Sequence, residues 1–263
     1  MGGALTACRY RGRNVLRPAL EGGGVLGASA FPMVPFVGRI DQGRFEYDGA
    51  AFAVAPNFPP EPHAIHGHGW QSAWRHAVIH DALRLDLKGA DSRWPWPIEA
   101  SQTFVPDSNL LLYELRLTNL GATAMPAGLG WHPYFEADGA SVMANVSAAW
   151  AGARAHDCVP LEGVDRLSEP VPVSGLDVDR CFEWPGGQAA IRLGNGLSIE
   201  MEAGPFARRL TLYHPAGAKF LCVEPVTQAP DAVNMSDPAA AGLQRLEPGR
   251  TLVLTALLRV RGV

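Results

Sequence analysis

No run of apolar residues in this chain is long enough to cross a bilayer as a helix. Positive charge is not in excess either. Lys and Arg number 22 against 26 Asp and Glu, a net charge of -4, so the basic footprint of a nucleic-acid binder is missing. Basic residues occur in the first thirteen positions, but no apolar block follows them, and no signal peptide is expected. Cysteine is scarce: Cys8, Cys158, Cys181 and Cys222 lie far apart, with neither metal-ligand nor redox spacing. They are expected to be small buried hydrophobes with free thiols. Together these absences predict a cytoplasmic protein with no nucleic-acid or membrane partner. Long amphipathic helices are lacking as well, because 29 Gly and 22 Pro are spread throughout and break the chain into turns.

What remains is globular. Hydrophobic residues make up 47% and charged residues 18%, which favours a packed core over disorder. No linker, repeat or charge block divides the 263 residues, so they read as one domain, 1–263. Period-two alternation marks strands. It is clean in Leu83–Leu87, Leu111–Thr118, Ala189–Leu193 and Leu197–Met201. The Gly194-Asn195-Gly196 turn between the last two predicts a hairpin. Leu252–Val260 reads as a mostly buried last strand, and short helical turns are expected near Pro238–Leu243. The predicted class is all-β, closed as a barrel or stacked as a sandwich.

Two ionisable residues stand directly before prolines at the ends of strand-like runs: His132-Pro133 and Glu224-Pro225. The residue before a proline is pushed into extended geometry, which restricts its side-chain direction before tertiary contacts form. An imidazole and a carboxylate so placed are a candidate general acid and base. In Phe220–Glu224, alternation puts Glu224 on the face of Phe220 and Cys222. A carboxylate on so apolar a strand is expected to open into a cleft or to be bound by donors, and desolvation would raise its pKa. A buried ion pair would give the same sequence. Alternation sets Trp131 opposite His132, toward the core.

Other polar residues admit two readings each. Arg39 can donate fixed hydrogen bonds to vicinal hydroxyls, though spacing alone favours a surface ion pair. His66 and His68, followed by Trp70 and Trp74, suit a site where imidazole meets a hydroxyl and an indole stacks on a sugar. They equally suit the capping of loop carbonyls, and a metal site is disfavoured because no carboxylate joins them at the usual spacing. Asp177 and Asp179 are candidates for ligand hydroxyls or for turn caps. Trp94-Pro95-Trp96-Pro97 is assigned to packing.

In this order, several motifs resemble the aldose 1-epimerase (galactose mutarotase) family: Val34-Pro35-Phe36-x-x-Arg39-Ile40-x-x-Gly43-x-Phe45, His66-Gly67 then Trp74, Gly130-x-His132-Pro133-Tyr134-Phe135, Asp179-x-x-Phe182, and Val223-Glu224-Pro225 then Asn234. The resemblance implies a large antiparallel β-sandwich (the supersandwich of that family) with a sugar cleft. It implies Glu224 as base, His132 as acid, and Arg39, His66 and Asp179 as holders of sugar hydroxyls. It implies neither metal nor organic cofactor, a small sugar as substrate, and a monomer or homodimer. Three departures stand out. The N-terminal strand pair before Leu16-Arg17-Pro18 is expected to be shortened. His68-Gly69-Trp70-Gln71 stands where relatives carry an Arg near a Phe, and Gln228 where many have His. Two other activities stay open: a hexose-phosphate mutarotase using Arg39, Arg75 and Arg154, and a non-catalytic carbohydrate-binding protein. A metal enzyme on His66, His68 and His132 is the fourth reading.

Overall fold

Alternating strands with one apolar edge must bury that edge, and here two antiparallel sheets do it against each other. The computed structural model describes residues 2–89, 91–150, 158–159 and 167–262. One sheet has nine strands, in the order Val171–Pro172, Ser141–Ala144, Gln188–Arg192, Leu197–Ala203, Thr251–Gly262, Leu110–Asn119, Ile98–Asp107, Ala82–Gly89 and Arg75–Ile79. The other has seven: Cys158–Val159, Ala148–Trp150, Val178–Glu183, Arg209–His214, Phe220–Val226, Gly130–Glu136 and Ala30–Met33. The fold is all-β, a large antiparallel sandwich, and the helical segments described are single 3-10 turns of three residues.

Leu83–Leu87, Leu111–Thr118 and Leu197–Met201 lie within strands of the nine-stranded sheet, and Ala189–Leu193 does so up to Arg192. The Asn-Gly turn closes a hairpin with Ile191 opposite Ile199, and Gly196 takes the positive φ of 78° that the turn requires. Pro238–Leu243 forms hydrogen-bonded turns rather than a helix, with Leu243 N donating to the Pro238 carbonyl at 2.9 Å. Near the N-terminus Cys8–Tyr10 pairs with Arg13–Leu16 in a short two-stranded sheet.

The core lies between the sheets. Trp131 and Tyr113, each fully buried, stack across it with centroids 4.6 Å apart, an arrangement that adds ~0.5–1.5 kcal/mol to the area buried. Trp131 therefore faces the core, and His132, one residue on, faces the other way. A second apolar cluster holds Trp94 and Trp96 against Phe36, Phe45 and Phe52, which makes the Trp-Pro-Trp-Pro segment a packing element. Cys8, Cys181 and Cys222 are free thiols, and the side chain of Cys158 lies outside the described residues.

Candidate active site

The outward face of the seven-stranded sheet is a floor made of two cross-strand rows. In the first, Phe31 pairs with His132, Glu224 with Thr211, and Thr211 with Cys181. In the second, Tyr134 pairs with Cys222, Cys222 with Tyr213, and Tyr213 with Asp179. Between Gly130–Glu136 and Phe220–Val226 the ladder has rungs at Gly130–Val226 and Tyr134–Cys222 and none between. Pro133 and Pro225 fall in that gap, and a proline has no N–H to offer a ladder. Counting inward from either rung brings His132 opposite Glu224. Their side chains meet, with His132 Nε2 3.2 Å from Glu224 Oε1.

Above this floor lies a cavity of about 350 Å³, near the lower end of the ~300–1,000 Å³ of small-molecule sites. Arg39, His66, His132, Asp179 and Glu224 all line it. Glu224 is 2% and His132 5% exposed. Burial disfavours charge on both, so the Glu224 carboxyl is held well above its usual range, with the Asp179 charge adding to the effect. Burial likewise pulls the His132 imidazole well down, and the nearby Arg17 cation pulls it further. Burial thus favours the neutral form of both groups.

Aromatic packing surrounds the His132 ring. His132 Nδ1 is buried without a partner. Phe31 and Tyr134 both pack against the ring, at centroid distances of 4.4 and 4.7 Å. Arg17 sits behind Tyr134, its guanidinium carbon 4.1 Å from the ring centroid. It is fixed there by donating to the Leu26 and Ala28 carbonyls at 3.0 and 2.7 Å.

The walls come from loops. His66 has φ of +58°, and Gly67, at +68°, has no room for a Cβ against the Val34 carbonyl. His66 N donates to the Gly38 carbonyl, and Gly38 N donates to His66 Nδ1 at 3.2 Å. That assigns the remaining proton to Nε2. The ring stands edge-on to His132 at 5.7 Å. Burial, then the neighbouring His132 and Arg39, keep it neutral. Arg39 lies between two carboxylates, 3.2 Å from Glu61 Oε1 and 3.7 Å from Asp179 Oδ2, and it also faces the cavity. Asp179 stands at the rim, its carboxyl raised by burial and lowered in part by Arg39. Asp177 caps a turn instead, accepting from Ala216 N at 3.1 Å.

His68 is not part of the site. It is buried beside Ser72 Oγ at 3.2 Å and Asp91 at 3.7 Å, outside the cavity lining. This overturns the metal trio of His66, His68 and His132, because the positive φ at His66 turns its neighbours away from a shared strand face. Trp70 lines the cavity, whereas Trp74 ties the loop by donating to the Gly69 carbonyl at 2.9 Å.

A family model described as aldose 1-epimerase matches residues 1–259. The chain belongs to the aldose 1-epimerase family. It is 31% identical over 259 residues to the uncharacterized protein YphB of Escherichia coli K12, covering 94% of this chain and 88% of that one. A solved structure from the same organism, assigned only provisionally as an aldose 1-epimerase, superposes with a TM-score of 0.90 at 29% identity, over 100% of this chain and 94% of the other. The galactose 1-epimerase of Lactobacillus acidophilus NCFM shares the fold, with a TM-score of 0.79 at 15% identity over 99% and 89%.

Within this aldose 1-epimerase fold, the placement of several residues in or beside the cavity was not legible in the sequence. Thr211 and Tyr213 alternate with the buried Leu210 and Leu212 in Arg209–His214, so a strand signal was there, but nothing in one dimension shows which strand is the neighbour. Arg17 stands in the Leu-Arg-Pro stretch, yet its burial under Tyr134 depends on a contact 117 positions away in sequence. Gln228, 2% exposed, lines the cavity with its Oε1 unpartnered, in space that Gly128 leaves by lacking a Cβ.

Proposed function

We propose that this protein is an aldose 1-epimerase (mutarotase) that interconverts the α and β anomers of a free aldose by acid–base ring opening. The observation that carries the reading is the His132–Glu224 pair, 3.2 Å apart across a gap in the ladder and open to one cavity. The ring oxygen and the anomeric hydroxyl of a pyranose share one carbon, so two groups this close can address both. Glu224 receives the O1 proton as base, and His132 gives a proton to the ring oxygen as acid. The C1–O5 bond breaks, C1 becomes the aldehyde carbon, rotation about C1–C2 presents its other face, and closure reverses both transfers. Sugar hydroxyls donating to the carboxylate favour moving the shared proton from Glu224 to His132, which readies both groups. The net change is a redistribution of protons and one C–O bond, so no redox or carrier group is called for.

Arg39, His66 and Asp179 hold the sugar hydroxyls. Arg39 donates in a fixed fork, His66 donates from Nε2, and the Asp179 carboxylate accepts. The charge of the cavity speaks for a free sugar over a phosphate ester. Among the described residues Arg39 is the sole Lys or Arg lining it, and two carboxylates already face that guanidinium. Arg75 lies exposed on the edge strand of the other sheet, and Arg154 lies outside the described residues.

Polarimetry and NMR exchange with α-glucose, α-galactose and pentoses test the proposal, beside glucose 6-phosphate. The parent is expected to speed anomer exchange of a free aldose, with Glu224→Gln and His132→Asn each losing ~10²–10⁴-fold. Unchanged rates in the folded variants would remove this pair from the mechanism, and a preference for the phosphate would move the assignment to a sugar-phosphate mutarotase.

A further inference from the structure

We infer that the cavity floor is also a binding site for a thiophilic divalent cation of the Zn²⁺ class, held by His132, Cys222 and Glu224, and that filling it shuts the sugar out. One ligand atom from each of these residues lies within 4.8 Å of the other two, and all three residues are buried. The described residues hold no other such group of three His, Cys, Asp or Glu. Cys222 and Glu224 share a face of Phe220–Val226, and Cys222 pairs with Tyr134, two residues beyond His132 on the next strand. The register that opposes His132 to Glu224 therefore also brings a thiol beneath them.

The ligand set selects the metal. Thiolate, imidazole and carboxylate together suit Zn²⁺, Cd²⁺ and Co²⁺ and disfavour Mg²⁺ and Ca²⁺, which take oxygen ligands. Metal–ligand bonds of ~2.0–2.3 Å place the ligand atoms of a tetrahedral site ~3.3–3.8 Å apart. His132 and Glu224 are already 3.2 Å apart, so the contraction falls on rotation of Cys222 Sγ. The fourth position opens into the cavity, where water completes the tetrahedron. Coordination takes the thiolate, the unprotonated imidazole nitrogen and the carboxylate, so any protons these groups carry leave to solvent as the cation enters. The cation occupies both the carboxylate and the imidazole nitrogen that the sugar would use, so metal and sugar exclude each other.

The test is a titration of the full-length protein with Co²⁺, read as the thiolate-to-cobalt charge-transfer band in the near ultraviolet, followed by displacement with Zn²⁺. The parent is expected to show the band at one equivalent. Cys222→Ser is expected to lose it and to bind Zn²⁺ at least ~10-fold more weakly, and the ratio of its anomer exchange rates with and without Zn²⁺ is expected to approach one. If Cys222→Ser does not fold, His132→Asn and Glu224→Gln retain the thiol, and a weakened band in both locates the metal here. No band in the parent overturns the inference, and so does a band that persists undiminished in the variants, which would put the cobalt on Cys8 or another thiol. Absorbance reads binding without turnover, so a parent that binds cobalt but exchanges no anomers would count against the proposed activity alone.

Discussion

The two sheets of this molecule treat their outer faces in opposite ways. In the nine-stranded sheet, Leu110–Asn119 alternates buried and accessible side chains almost without a break, and Thr251–Gly262 does the same. One face packs on the core and the other meets water. In the seven-stranded sheet, Gly130–Glu136 and Phe220–Val226 are buried on both faces nearly throughout. Their inner faces carry Trp131, Leu221 and Val223, and their outer faces carry His132, Tyr134, Cys222 and Glu224 under the cavity walls. The first sheet is built for cohesion. The second supports the same core and also holds ionisable groups out of water, which disfavours their charged forms and makes them responsive to a ligand.

That contrast breaks most sharply if activity and stability are not separable between the sheets. Glu224→Gln should lower the anomer exchange rate by ~10²–10⁴-fold with little loss in melting temperature, because it removes a group that burial disfavours when charged. Leu115→Ala, at a fully buried position of the other sheet, should do the reverse, costing about 2–5 kcal/mol of stability in denaturant titration while the folded fraction keeps its kcat. A Leu115→Ala protein with intact stability, or a Glu224→Gln protein that unfolds, would erase the distinction.

A smaller effect is expected at the rim. Arg39→Met removes charge-assisted hydrogen bonds worth ~1.5–3 kcal/mol each, so KM for the sugar should rise ~10-fold or more with a lesser change in kcat, read from initial rates. Loss confined to kcat would place Arg39 in proton transfer instead.

The pH profile sharpens the comparison further. In the proposed mechanism the pair works with one proton. Acid stops it by adding a second, and that step is set by the neutral imidazole, held well below the ordinary histidine value of 6.5 by burial and then by Arg17. Activity should therefore persist well below pH 6.5, with any apparent pKa belonging to the pair. Arg17→Met takes away the cation behind Tyr134 that disfavours charge on the imidazole, and the acid limb should move upward. A limb that does not move would confine Arg17 to packing under Tyr134.

The smallest expected effect concerns His68, kept neutral down to about pH 4 mainly by burial. In the unfolded chain a histidine takes its proton near 6.5, so between 6.5 and about 4 the unfolded state binds more protons and stability falls as pH drops. His68→Asn should flatten the slope of melting temperature against pH in that window, and an unchanged slope would show that the acid sensitivity lies elsewhere.

The same contrast explains what was legible in the sequence. The nine-stranded sheet could be read because alternation is a one-dimensional signal: Leu83–Leu87, Leu111–Thr118 and the Gly194–Gly196 hairpin each announce themselves. The site could be read in part because proline is also local, and His132-Pro133 and Glu224-Pro225 mark themselves as fixed in direction. The rest depends on register between strands distant in sequence. Thr211, Tyr213 and Cys222 join the site by pairing, and no spacing rule encodes that. His66 and His68 look equivalent on paper, and a single left-handed residue separates their fates.

One consequence of the interrupted ladder remains. Where Pro133 and Pro225 deny the two strands their shared rungs, the sheet is unlaced beside His132 and Glu224. A guest arriving between the imidazole and the carboxylate can ease them apart without parting a single main-chain bond, so the fold supplies rigidity at both ends of the seam and give at its centre.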